Sequence, residues 1–168
     1  MDWLTTLRRS GGINALARQL GVSPPEVSAG VTALLPALLD GLRQLVDRRG
    51  GDGPGMQALV DMLVERGGGQ LAADVMGPAA LDPTPGNVIV SQAIGPEVAR
   101  RAVLVEAERL SGLDPVFGDR LLPALTMLIG GYITARALGS GAAGSGGAAQ
   151  LDSLHGTLTL DDNMRDRI

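Results

Sequence analysis

The sequence predicts an all-α protein: one domain of several helices, built from two related halves and followed by a flexible C-terminal tail. Composition is the first observation behind this prediction. Hydrophobic residues make up 45% of the 168 residues, but aromatic residues only 2%, so a core must consist of Leu, Val and Ala. Such side chains suit closely packed helices, whereas sheets favour β-branched and aromatic residues. The second observation is an internal duplication.

The duplicated segments are residues 21–42 (GVSPPEVSAGVTALLPALLDGL) and residues 112–132 (GLDPVFGDRLLPALTMLIGGY). Each copy has a glycine, an apolar residue, a capping residue and a proline, and each then reaches Leu-Leu-Pro-Ala-Leu. The spacing from the glycine to the internal proline differs by four residues between the two copies. Four residues are about one helical turn, so the proline lies on the same face of the helix in both copies. We therefore predict two related halves over residues 13–66 and 86–138 of a domain spanning residues 1–138.

Each copy places a proline, Pro36 or Pro123, inside an apolar helical pattern. Proline has no N–H, so the main-chain oxygens of Thr32 and Asp119, four residues earlier, lose their helical donors, at a cost of ~3 kcal/mol in a straight helix. Either the helix continues with a kink, or one helix ends and another starts. Because the apolar pattern continues through both prolines, we predict two long kinked helices.

Capping signals, glycines and prolines delimit the elements in chain order. Ser23 and Glu26 form a capping-box pattern, and Asp2 and Asp114 are further N-cap candidates. Gly21 is a C-cap candidate. The predicted helices cover residues 3–9, 13–20, 24–49, 56–66, 70–76, 87–94, 97–110 and 115–138.

The helix predicted over residues 97–110 shows a helical spacing of apolar residues. This spacing predicts an inward face made of Val98, Ala102, Val105 and Leu110. Glu97 and Arg101 are one turn apart and are expected to form an ion pair on the outside.

Loops and a tail separate and follow these helices. Glycine and proline predict loops at residues 50–55 and 77–85. Residues 139–150 have the Gly/Ala/Ser composition of a flexible linker. For the terminal peptide, residues 151–168, we predict disorder. Alternatively, its leucines dock on a partner or on the domain itself.

Residues 86–132, which open with Gly-Asn and contain the Gly-Leu-Asp-Pro cap and the Leu-Leu-Pro helix, resemble a bacterial family of unknown function, DUF nine-three-seven. Residues 20–42 resemble its first half, so the resemblance covers about residues 13–138. YidB-like relatives of that family are small helical proteins, which implies a helical fold. The family has no established activity, so the resemblance implies no catalytic residues.

Residues 13–32 match the spacing of a helix-turn-helix, with Ala17 at the helix contact, Gly21 at the turn and Val27 in the second helix. The alternative function is therefore DNA binding. It is disfavoured because the early positions of the second helix hold no Arg, Lys, Asn or Gln, the usual partners of base edges. The net charge of −4 also lacks the basic excess of nucleic-acid binders.

Five residues are the candidate DNA contacts in this alternative. They are three arginines for phosphates and two serines of the second helix: Arg8, Arg9, Arg18, Ser23 and Ser28. Three arginines are few for a phosphate interface.

The sequence predicts neither an enzyme nor a cofactor or metal site. It contains no Cys or Lys, and its one histidine, His155, lies in the predicted tail. Glu106 and Glu108 are two residues apart on a helix and point apart. Asp161 and Asp162 also lie in the tail.

The remaining class is a non-catalytic interaction or assembly module, which binds a protein partner or a second copy of itself. Residues 31–39 and 121–135 are apolar with few charges, so any of their apolar surface that the core does not bury is available for association. The alternative is that the two segments simply pack on each other. The longest uncharged helical run, residues 121–135, is shorter than the ~20 residues that span a membrane. We therefore expect no transmembrane segment and a cytoplasmic protein.

Overall fold

A computed structural model describes residues 2–141, with side chains through residue 139. All regular structure in this range is helical, which confirms the all-α prediction. The helices are α1 Trp3–Arg9, α2 Gly12–Leu20, α3 Pro24–Arg48, α4 Pro54–Glu65, α5 Gln70–Met76, α6 Thr84–Ala93, α7 Glu97–Ser111 and α8 Pro115–Gly141.

The predicted N-caps are confirmed at three helices. Asp2 accepts a hydrogen bond from the Leu4 N–H at 3.0 Å and so caps α1. Both bonds of the capping box join Ser23 and Glu26 at the start of α3. At α8, Asp114 accepts from the Val116 N–H at 3.1 Å. These caps satisfy amide groups that lack a partner within their own helix.

The corners α2–α3 and α7–α8 share one backbone conformation. Gly21 and Gly112 end α2 and α7 with φ of 69° and 71°, in the left-handed region that favours glycine. Helices α3 and α8 then run without interruption through Pro36 and Pro123. The alternative that each proline ends one helix and starts another is therefore wrong.

Helix α8 is the centre of the fold. Residues 121–131 are all buried, and α8 packs against each helix from α2 to α7. In α3, Val31, Leu34 and Leu38 are fully buried. Both apolar segments, 31–39 and 121–135, therefore contribute to the core, and their use for association stays a prediction.

Three helix boundaries differ from the prediction by more than one residue, two of them at prolines. Pro54 and Pro85 fall in predicted loops, but each lies in the first turn of a helix, α4 or α6. Proline is tolerated there because the amide of that turn has no helical acceptor. Helix α8 continues to Gly141 and includes the first three residues of the predicted linker. The predictions for residues 142–168, including His155, lie outside the described residues.

Within residues 2–141, two helices are long and apolar enough to cross a membrane by length and composition alone: Pro24–Arg48 and Pro115–Gly139. The most apolar part of the second is 72% buried within the fold, as in the core helix of a globular protein, and that of the first is 44% buried. The absence of a transmembrane segment and the cytoplasmic location stay predictions.

Candidate interaction surface

The outer side of α7 carries apolar side chains in contact with solvent. Val98 is 81% exposed and Val105 54% exposed, while Leu104 and Ala107 form the buried side. The predicted inward face was therefore wrong for all of its members: Val98, Ala102, Val105 and Leu110 are exposed.

Arg100 explains which side of α7 faces inward. Its side chain is only 17% exposed and reaches between α6 and α8. Nη1 donates to Asn87 Oδ1 at 2.7 Å, Nε to Asp119 Oδ1 at 3.0 Å, and Nη2 to the Asp119 main-chain oxygen at 2.9 Å. Because a charged residue occupies the inner side, the apolar residues that share the opposite side remain in solvent.

A groove between α7 and the start of α8 adjoins this outer side. Its volume is ≈ 410 Å³, and Val105, Leu104, Pro115 and Val116 supply its apolar lining. Val116 is 70% exposed. We call Val98, Ala102, Val105 and Val116 the α7 face.

Charged residues flank the α7 face. The predicted ion pair between Glu97 and Arg101 is confirmed, with 3.0 Å between Oε1 and Nη2. The Arg109 guanidinium binds both carboxylate oxygens of Glu106, and these hydrogen bonds lower the pKa of Glu106 and raise that of Arg109. Within the described part of the chain, the Glu108 carboxylate is exposed and has no partner.

Most of the candidate DNA contacts have partners within the domain. Arg8 Nη2 donates to Ser28 Oγ at 2.9 Å, which ties α1 to α3. Ser23 Oγ accepts from the Glu26 N–H as part of the cap. Arg9 is exposed at the end of α1.

Arg18 caps the end of another helix. Its Nη2 donates to the main-chain oxygens of Met76 and Gly77, both at 2.9 Å, where α5 ends. A cation at a helix C-terminus is favourable because the free carbonyl oxygens there carry partial negative charge. No sequence pattern predicts this role, because it depends on the packing of α2 against α5.

The helix-turn-helix residues pack as that motif requires. Ala17 is 5% exposed and Val27 fully buried, on either side of the left-handed Gly21. The first half of α3 is nevertheless flanked by other elements, since Arg8 and Ser111 line one shallow groove with α3 residues. A reading helix must protrude to enter a major groove ≈ 12 Å wide.

A second cavity, of ≈ 470 Å³, lies where the two glycine corners meet, and Phe117 is among its lining residues. The charged side chains that line this cavity already form hydrogen bonds with main-chain groups of the protein. Glu26 and Asp114 accept amide hydrogen bonds as caps, and Arg120 Nη2 donates to the Leu20 oxygen at 3.3 Å. Among the described residues, no cluster of His, Asp or Glu is arranged to hold a metal ion.

Fold and surface together define a small all-helical protein with an apolar face on α7. The model of the family described as "Bacterial protein of unknown function (DUF937)" matches residues 2–136, and the chain belongs to that family. This match confirms the resemblance found in the sequence. No curated protein and no solved structure matches the chain.

Proposed function

We propose that this protein is a non-catalytic interaction module that binds a protein partner through the α7 face. The exposure of Val98, Val105 and Val116 is the observation that carries the proposal. Val105 and Val116 lie on two adjacent helices and line one groove, and Val98 is exposed two turns before Val105 on the same side of α7, so the exposed apolar surface is clustered there. Clustered apolar surface with a polar rim is typical of protein interaction sites, whereas single exposed apolar residues are common everywhere.

The composition of the α7 face favours a protein partner. Val98, Ala102 and Val105 follow the i, i+4, i+7 spacing by which one helix packs against another. Two ion pairs and the Glu108 carboxylate border them, which matches the apolar centre and polar rim of protein interfaces.

The alternative, helix-turn-helix DNA binding, is less favoured by the contacts of its candidate residues. Arg8 and Arg18 already donate to acceptors within the domain. A phosphate would have to compete with these acceptors, and Arg9 alone adds little to an affinity that grows with the number of phosphates neutralised.

A capture experiment with two matched variants tests the proposal. Val105→Arg places a charge in the α7 face, while Val64→Arg makes the same change on α4, at a valine that is 46% exposed. Tagged wild-type and variant chains are incubated with lysate of bacteria that also express the untagged chain, with and without nuclease treatment, and captured proteins, including the untagged chain, are quantified by mass spectrometry. Circular dichroism checks that both variants remain folded.

We expect the wild type and Val64→Arg to retain the same proteins and Val105→Arg to lose them. Equal capture by all three chains would contradict the proposal. Capture that vanishes on nuclease treatment would instead support DNA binding.

A further inference from the structure

We infer that the partner on the α7 face is a second copy of this chain, with the two α7 helices antiparallel about a two-fold axis near Val105. This inference rests on the proposed function and specifies its partner. An axis perpendicular to the helices brings equal flanks of the two helices together and reverses their direction.

The charges of α7 complement each other under this symmetry. Arg101 precedes Val105 by four residues and Glu108 follows it by three, so both lie on one flank, roughly 40° and 60° away from Val105. They are about 6 Å and about 4.5 Å from Val105 along the helix, in opposite directions. The two-fold axis therefore places Arg101 of each copy beside Glu108 of the other.

The side chains of Arg101 and Glu108 can both form this ion pair between copies. Glu108 has no side-chain partner among the described residues. The Arg101 side chain is 73% exposed, and only its Nη2 is bound to Glu97. A guanidinium has five N–H donors, so Arg101 can bind both carboxylates.

The apolar members of the α7 face also find partners in this arrangement. Arg109 and Ala102 share the opposite flank, so the aliphatic stem of Arg109 covers Ala102 of the second copy. Val98 is about 10 Å from the axis and meets the α7–α8 corner of the second copy, where Val116 is exposed. Val105 packs near its own counterpart at the axis. Every member of the face is then covered.

Sedimentation velocity on the purified full-length chain tests this inference, over concentrations from about 1 to 200 µM, a range that brackets affinities of −6 to −8 kcal/mol. We expect a reversible dimer in the wild type and in Val64→Arg, and a monomer in Val105→Arg. Arg101→Glu and Glu108→Arg each create two repulsive pairs, so each alone should raise the dissociation constant at least about tenfold.

Mixing the two charge variants gives the sharpest readout. An Arg101→Glu chain paired with a Glu108→Arg chain regains two attractive pairs, so the equimolar mixture should dimerise although each variant alone does not. Absence of dimer in that mixture, or a dimer unaffected by Val105→Arg, would overturn the inference. A wild-type monomer up to 200 µM would also overturn it. In that case, loss of lysate partners by Val105→Arg would still support the proposed function.

Discussion

Arg100 supplies the hydrogen bond that Pro123 removes from α8. Its Nη2 donates to the main-chain oxygen of Asp119 at 2.9 Å, and Asp119 is the residue four positions before Pro123. That oxygen lacks its helical donor because proline has no N–H. The guanidinium is held in place by Asn87 of α6 and by the Asp119 carboxylate. A side chain of α7, held in part by α6, therefore compensates α8 for the hydrogen bond lost at Pro123.

Replacing Arg100 should destabilise the fold. Arg100→Ala leaves the acceptors on Asn87 and Asp119 without their donor, and we expect the free energy of unfolding to fall by about 2–3 kcal/mol. Arg101→Ala is the matched control, since its ion pair is exposed and should change stability by less than about 1 kcal/mol. The free energy of unfolding of both variants is measured by urea denaturation. Both also carry Val105→Arg, so that association does not contribute. Equal losses in the two variants would contradict this role of Arg100.

The link between Arg100 and Pro123 can be measured by a double-mutant cycle. Pro123→Ala restores an N–H that can donate to the Asp119 oxygen, so Arg100→Ala should cost about 1 kcal/mol less in that background. The control cycle combines Arg100→Ala with Pro36→Ala, and its effects should add because Pro36 frees a different oxygen, on α3. Additivity in the first cycle would show that the Asp119 oxygen does not depend on Arg100.

The close approach of α6 to α8 requires a glycine at position 86. A Cβ on Gly86 would lie 2.3 Å from the Pro123 main-chain oxygen, so α6 must move away. We expect Gly86→Ala to lower the free energy of unfolding by about 3 kcal/mol. Gly139→Ala serves as the control, because no atom lies within 4 Å of its added Cβ and alanine favours helix. The two variants should change the thermal midpoint in opposite directions, and equal midpoints would refute the packing argument.

The sequence predicts those features of the fold that depend on residues close together in the chain. Capping residues such as Ser23 act on amides within three residues, so their partners are close in the chain. The oxygens that lose a donor, those of Thr32 and Asp119, also follow from the proline positions. The group that replaces the lost donor does not follow from the sequence, since the Asp119 oxygen accepts from Arg100, a residue of another helix.

The α7 face could not be predicted from periodicity. Helix α7 has apolar residues on more than one side, and the spacing of Val98 and Val105 is as regular as that of a core face. The orientation of α7 depends on the hydrogen bonds that Arg100 forms with Asn87 and Asp119. In the sequence alone, Arg100 cannot be distinguished from a charged residue at the surface. The Gly86-Asn87 pair of the family resemblance was the one signal near this junction.

Gln19 of α2 holds the connection between α5 and α6 against the domain. Its Nε2 donates to the Ala79 oxygen at 2.9 Å, and its Oε1 accepts from the Leu81 N–H at 3.1 Å. Gln19→Ala removes both contacts, so this segment should open locally more often than the rest of the fold. We expect amide exchange at Leu81 to accelerate about tenfold, measured by hydrogen exchange with NMR detection.

Gln44→Ala is the matched control for this measurement, because the Gln44 amide bonds only to Asp40 within α3, at 2.9 Å. It should leave exchange at Leu81 unchanged. A comparable acceleration in both variants would mean that the effect is global destabilisation rather than release of the connection. Unchanged exchange in Gln19→Ala would mean that other contacts, such as those of Arg18 at the end of α5, hold the segment without Gln19.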